Sequence, residues 1–125
     1  MNAKPSKKSG INHLIAATRY SRQGLSRLSR EPAFRHEIYA AIVASMSLLF
    51  LGVSWKEFAT GLSFVLLVFA AEALNTAIEE VVDHISPEFS QAAKHAKDLG
   101  SLTVAIAIIA AFVYFMALVA ERLLG

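Results

Sequence analysis

Residues 99–120 read LGSLTVAIAIIAAFVYFMALVA, twenty-two consecutive residues without a charge. A helix needs about 20 apolar residues to cross a bilayer core of roughly 30 Å, so this run spans as it stands. Two earlier blocks have the same character. Residues 38–55 are eighteen residues without a charge, and residues 58–71 add fourteen more. After Glu72 the chain stays largely apolar to Val82. The middle block spans only if Glu72 is accepted inside it or near its end. The lengths and the Ala and Leu content favour helices over strands. The expectation is an all-α membrane protein with three transmembrane helices, at about 38–55, 58–83 and 99–121.

The composition agrees with this reading. Of 125 residues, 55% are hydrophobic and 18% are charged, and none is Cys; the mean hydropathy is +0.49. A soluble domain carries about 25% charged residues, which argues against a freely soluble globular enzyme. Without cysteine there are no disulfides, thiolate metal sites or cysteine nucleophiles.

Charge sets the expected topology. Residues 1–30 hold Lys4, Lys7, Lys8, Arg19, Arg22, Arg27 and Arg30 and no acid. The turn at residues 54–57 has only Lys56, whereas the loop at 84–98 has Lys94 and Lys97. By the positive-inside rule, the N-terminus and the 84–98 loop lie in the cytoplasm and the C-terminus outside, with Arg122 a single count against. No short apolar segment with a small-residue cleavage site precedes residue 38, so an uncleaved inner-membrane protein is expected.

Residues 1–10 read as a disordered basic tail. In residues 11–30, Ile11, Leu14, Ile15, Thr18, Leu25 and Leu28 fall mostly on one helical stripe and leave the other faces basic. This is the make-up of an amphipathic helix lying on an anionic membrane surface; a basic flank that only sets topology is the alternative. The pI of about 9.1 does not point to nucleic acid, because neither aromatic interleaving nor a recognised binding module accompanies the charge. Pro32 marks the hinge between the surface helix and the first span. Trp55 reads as an aromatic anchor at the outer end of that span. His13, His36, His84 and His95 form no ligand pattern.

The chemistry is concentrated in Glu72-Ala-Leu-Asn-Thr-Ala-Ile-Glu-Glu-Val-Val-Asp83. On a helix, Glu72, Thr76, Glu79 and Asp83 lie within about 60° of arc, with Asn75 adjacent. Three carboxylates thus enter the membrane on one face over about 16 Å. Buried carboxylates are costly and usually functional unless paired; helix capping, or pairing with Arg and Lys of neighbouring chains, is the competing reading, strongest for Glu80 and Asp83. Glu72, the deepest, is the most desolvated and so the better proton acceptor. Glu79, two turns nearer the cytoplasm, is within reach of a hydrated divalent cation, and Glu31 at the hinge offers a second carboxylate. Mg²⁺ takes one or two carboxylates and fills its other positions with water and phosphate oxygens. Lys97, beside the acidic face, is placed to hold phosphates. The chain has no G-x-x-x-x-G-K-S/T, no G-x-G-x-x-G and no H-R-D set, so nucleotide chemistry here proceeds without the usual machinery.

Three stretches carry a resemblance: Glu31-Pro-Ala-Phe-Arg-His-Glu37, the Glu72–Asp83 run, and Ala96-Lys97-Asp98-Leu-Gly-Ser101. From about Gly10 to the C-terminus, the chain resembles the bacterial integral-membrane diacylglycerol kinases. The E-x-L-N-T-A-I-E-x-x-V-D run followed at a fixed gap by A-K-D is specific to them. The resemblance implies a homotrimeric helical bundle that uses Mg-ATP to phosphorylate diacylglycerol to phosphatidic acid. It implies Glu72 as proton acceptor facing the lipid hydroxyl, and Glu31 and Glu79 as metal ligands that bridge the nucleotide phosphates. Lys97, Asp98, Tyr20 and Glu88-Phe89-Ser90 match nucleotide contacts, Asn75 and Asp83 match polar residues lining the site, and Arg35, Glu37 and Ser101 match positions around the lipid headgroup. There are departures. A family arginine early in the surface helix, near the substrates, falls at His13, and the segment between Tyr20 and Glu31 is one residue shorter. Phe50 and Gly52 stand where the family has an aromatic and an acidic residue at the outer end of the first span.

Three helices cannot enclose both substrates, so oligomerisation is expected; Ala40, Ala41, Ala44, Ala70, Ala71, Ala107, Ala110 and Ala111 permit close helix packing. Two other functions compete. Undecaprenol kinase activity keeps the chemistry and changes the lipid. A small proton-coupled exporter would use Glu72 as proton carrier but leaves the metal-spaced acids and Lys97-Asp98 unexplained.

Overall fold

The computed structural model describes residues 10–125 as four helices: α1 (Ile11–Leu28), α2 (Pro32–Phe50), α3 (Trp55–Ile85) and α4 (Gln91–Leu124). Among the described residues there is no strand. The tail expected to be disordered lies outside them but for Gly10.

Local chemistry sets each boundary. Gly10 precedes α1 at a φ of 66°, a left-handed conformation natural to glycine. Pro32 opens α2 at the position where its missing N–H costs nothing, and Glu31 before it is extended. At the far end of α2 the chain turns through Gly52, whose φ is 67°. Ser54 and Glu57 then start α3 with a reciprocal capping box. Ser90 caps α4 by accepting from the Ala93 N–H at 3.1 Å.

This turn corrects two expectations. Residues 38–55 are not one helix: α2 ends at Phe50, leaving about 20 Å of helix after Glu37. Trp55 is the first residue of α3 and does not end the first apolar helix. The uncharged run is continuous because a turn of Leu, Gly, Val and Ser is uncharged too. By length and composition, α3 and α4 are long and apolar enough to cross a membrane. At about 46 and 51 Å they are longer than a roughly 30 Å hydrocarbon core.

α3 and α4 form a long antiparallel hairpin. Lys97 pairs with Asp83 near the loop, Gly100 packs on Asn75, and Tyr114 lies against Phe64 with its ring tilted by 31° and the centroids 5.3 Å apart. At the other end Tyr114 donates to the Glu57 carbonyl at 2.9 Å and Arg122 reaches the Glu57 carboxylate at 2.6 Å. α2 lies antiparallel along α3, joined by an edge-on Phe34–Phe69 contact at 5.0 Å and by Leu48 over Gly61. The interior is thin: Leu28, Phe34, Leu48, Val68, Ala71, Val82, Val104 and Leu118 are buried, while Ile42, Leu66, Ile109 and Phe112 are among many large apolar side chains left exposed. Such surfaces belong against lipid or another chain. Phe34, only 3% exposed, is the best-buried of these core residues. Phe34→Ala is expected to cost about 3 kcal/mol and to lower the unfolding midpoint measured in detergent.

Candidate functional site

Most of α3 is lipid-like in character, yet three of its polar side chains are hidden. Glu72, Asn75 and Thr76 are 5%, 9% and 8% exposed, and they are the buried polar residues of the described chain. The periodicity that placed them on one face is realised in α3. That face turns toward α2 and α4. Glu72 is within electrostatic reach of Glu79, Glu31 and Glu37, so the hinge, the start of α2 and the inner face of α3 bring four carboxylates together.

Each carboxylate has a different set of partners. Glu79, half-buried, accepts from Asn75 Nδ2 at 3.1 Å. Glu31, at the hinge, accepts from Arg27 at 2.5 Å, and Arg27 also donates to Glu80 at 2.5 Å. Glu31 and then Glu80 hold the Arg27 guanidinium proton above its ordinary pKa. Glu37 has one buried oxygen, Oε2, with no partner, and Asn75 Oδ1 is likewise buried and unpartnered. Buried acceptors without a donor are rare, since leaving one unmade is costly. Both belong to residues near Glu72: Asn75 lies one turn along α3, and Glu37 is within electrostatic reach.

Gly100 brings α4 up to this cluster. A Cβ there would fall 2.4 Å from Asn75 Oδ1, so any other residue would force the Asn75 side chain or α4 to shift. One turn along, Lys97 pairs with Asp83, and Lys94 pairs with Asp98 at 2.5 Å. These pairs line the polar end of the hairpin beside Glu79. On the apolar side, an open groove of about 550 Å³ lies between α2, α3 and α4, lined by residues such as Ala44, Leu48, Phe69 and Phe112, with Glu37 the one acid in its lining.

The other expected site residues lie apart from the cluster. His13, Arg35 and Ser101 are exposed. Tyr20 is exposed under the Arg19 guanidinium, 5.7 Å from its ring centroid. In the loop, Glu88 and Phe89 are exposed, and the Ser90 hydroxyl is engaged in capping α4 and in a 3.2 Å contact with Ser86. Among the described residues no side-chain hydrogen bond or ion pair joins these to Glu72, Glu79 or Glu31; Arg35 meets Glu31 only through its backbone N–H, which donates to the Glu31 carbonyl at 3.2 Å. Two residues that the motif reading passed over stand in the network, Arg27 and Gly100; Glu80 and Asp83, weighed as paired acids, are paired, but with Arg27 and Lys97 of the same chain. The i,i+4 spacing of Arg27 and Glu31 was the one readable signal.

Among the described residues no three His, Asp or Glu side chains converge on a point that would hold a metal. The donors present are all oxygen: the Glu31 and Glu79 carboxylates and the unpartnered Asn75 Oδ1. That donor set fits Mg²⁺, which needs only one or two protein carboxylates when phosphate supplies the rest.

A family model described as prokaryotic diacylglycerol kinase matches residues 19–119. A diacylglycerol kinase of a Sinorhizobium species is 45% identical over 108 residues, covering 86% of this chain and 79% of that protein. The diacylglycerol kinase of Haemophilus influenzae is 46% identical over 103 residues, 82% of this chain and 87% of that one. That of Escherichia coli K12 is 40% identical over 105 residues, with coverages of 83% and 86%.

Proposed function

The chain belongs to the prokaryotic diacylglycerol kinase family, and on that premise we propose that it transfers the γ-phosphoryl group of ATP to the free hydroxyl of diacylglycerol, yielding phosphatidic acid at the bacterial inner membrane. The observation that carries this reading is Glu72, a carboxylate only 5% exposed that follows a long uncharged stretch of α3 and lies within electrostatic reach of Glu31, Glu37 and Glu79.

Glu72 takes the proton of the lipid hydroxyl as that oxygen attacks the γ-phosphorus. Its place inside the membrane lets the lipid reach it laterally, while the nucleotide enters from the polar end of the hairpin. The apolar groove beside Glu37 suits acyl chains, with Glu37, Arg35 and Ser101 around the headgroup. Glu31 and Glu79 would hold Mg²⁺, which when bound offsets charge on the phosphates. Lys97 leaves Asp83 for a phosphate oxygen, and Asn75 keeps Glu79 aimed. Tyr20, Asp98 and the Glu88–Ser90 loop contact the nucleotide, and Asp83 lines the site. Most of the acceleration comes from positioning the two substrates.

α2 is the third span, with Arg35 and Glu37 at its cytoplasmic boundary and α1 lying on the membrane surface from residue 11 to 28, two residues short of the surface helix expected from the sequence. The N-terminus and the 84–98 loop are cytoplasmic and the C-terminus is outside. The exposed apolar faces and small residues of α2 and α4 support assembly of a homotrimer; a native mass other than three chains in detergent would remove that element. The function itself is tested by supplying the purified enzyme with labelled Mg-ATP and either diacylglycerol or undecaprenol. Labelled phosphatidic acid is expected. Preference for undecaprenol would change the lipid assignment, and no labelled lipid from either would overturn kinase activity.

A further inference from the structure

The guanidinium of Arg27 is the one place where the surface helix grips the acidic cluster. Arg27 sits near the end of α1, reaches Glu31 at the hinge with one nitrogen and Glu80 on α3 with another, both at 2.5 Å. Three elements meet at a single side chain, and a guanidinium suits this because its donors are held in a rigid fork. The next residue, Leu28, is the only buried residue of α1, 7% exposed, in a helix whose Ile11, Leu14, Ile15 and Leu25 are all exposed. The end of α1 is therefore seated on the bundle, and the seat coincides with the Arg27 fork.

This fork occupies a carboxylate that the reaction needs. Under the proposed function, on which this inference rests, Glu31 faces the nucleotide and its cation, yet here it is paired with Arg27. The pair is partly exposed, the side chains of Arg27, Glu31 and Glu80 being 43%, 30% and 52% accessible. Exposed pairs are weak and exchange partners easily. A triphosphate bears more charge than either carboxylate and accepts the same bidentate contact. The lysines at this end, Lys94 and Lys97, are already paired with Asp98 and Asp83.

We propose that Arg27 is an exchange latch for the nucleotide: without ATP it pins α1 to Glu31 and Glu80, and with ATP it moves to a phosphate oxygen, releasing Glu31 and keeping α1 seated. Arg27 thereby becomes a direct contact of the nucleoside triphosphate, supplied by the surface helix. The exchange also couples occupancy of the site to the position of α1. Loss of Arg27 leaves α1 loose in both states; loss of Glu80 leaves it loose only when the nucleotide is absent.

The chain has no cysteine, so a single Leu28→Cys substitution reports on the seat through its rate of reaction with a water-soluble maleimide. In this background Arg27→Gln and Glu80→Gln are each expected to speed labelling of the nucleotide-free enzyme about fivefold, the scale of an exposed ion pair. A non-hydrolysable ATP analogue with Mg²⁺ should restore slow labelling in E80Q and fail to do so in R27Q. In kinetics, R27Q should raise the KM for Mg-ATP about five- to tenfold with a smaller fall in kcat, as for a lost binding contact. Arg27→Lys, which keeps charge without the fork, should fall between. Equal protection of R27Q and E80Q by the analogue would overturn the exchange, and unchanged labelling in both free variants would overturn the latch. Glu79→Gln leaves the fork intact and tests the underlying site: if analogue binding and the metal requirement persist there, the Glu79 assignment fails while the latch stands.

Discussion

Glu72→Gln is expected to lower kcat by about 10²- to 10⁴-fold, the range for removing a positioned general base. Gln keeps the shape of Glu and retains an acceptor oxygen, but it cannot take a proton. The substitution leaves the Asn75–Glu79 hydrogen bond, the Arg27 fork and the Lys97–Asp83 pair untouched, so nucleotide binding should change little. Stability should move the other way. Glu72 is 5% exposed and has no hydrogen-bond partner among the described side chains, while Glu79, Glu31 and Glu37 surround it. A neutral amide in that place relieves both desolvation and like-charge repulsion. The expected variant is inactive, binds ATP, and unfolds at the same or a higher temperature than the parent. Near-normal turnover of diacylglycerol would remove Glu72 from the role of base. Loss of activity together with loss of fold would make it a structural residue instead.

That opposition between stability and activity follows from a pattern the sequence displays openly. Glu72, Asn75 and Thr76 share a face by helical arithmetic, and α3 buries that face. The Pro32 hinge was equally legible, because proline fixes the backbone where α2 starts. The end of α2 was not, since an apolar count cannot tell a helix from an apolar turn. Gly52 and the Ser54-Trp-Lys-Glu57 capping box held that information in the residues themselves. Other features depend on packing between distant elements. Arg27 and Glu80 are 53 residues apart, and no local pattern joins them. Tyr114 and Arg122 meet Glu57 only because α3 and α4 run antiparallel in this register.

Gly100 is the sharpest such case, and its replacement carries the second large effect. Gly100→Ala should reduce kcat/KM by about 10- to 100-fold, the cost of displacing site groups by an ångström or so. The added Cβ would lie 2.4 Å from Asn75 Oδ1 and 3.4 Å from its Cγ. Either the Asn75 side chain rotates, and its 3.1 Å hydrogen bond to Glu79 is lost, or α4 moves off α3. Alanine gains roughly 0.5–1 kcal/mol over glycine inside a helix, whereas overpacking costs about 1–3 kcal/mol. The net loss of stability is therefore modest and the loss of function large. A double-mutant cycle locates the effect: once Asn75→Ala has removed the clashing oxygen, Gly100→Ala should add little further loss. If the two losses are instead fully additive, or if the alanine enzyme retains normal kcat/KM, Gly100 does not act through Asn75. A non-additive result makes the glycine a positioning residue for Glu79, acting one helix away from the carboxylate it serves.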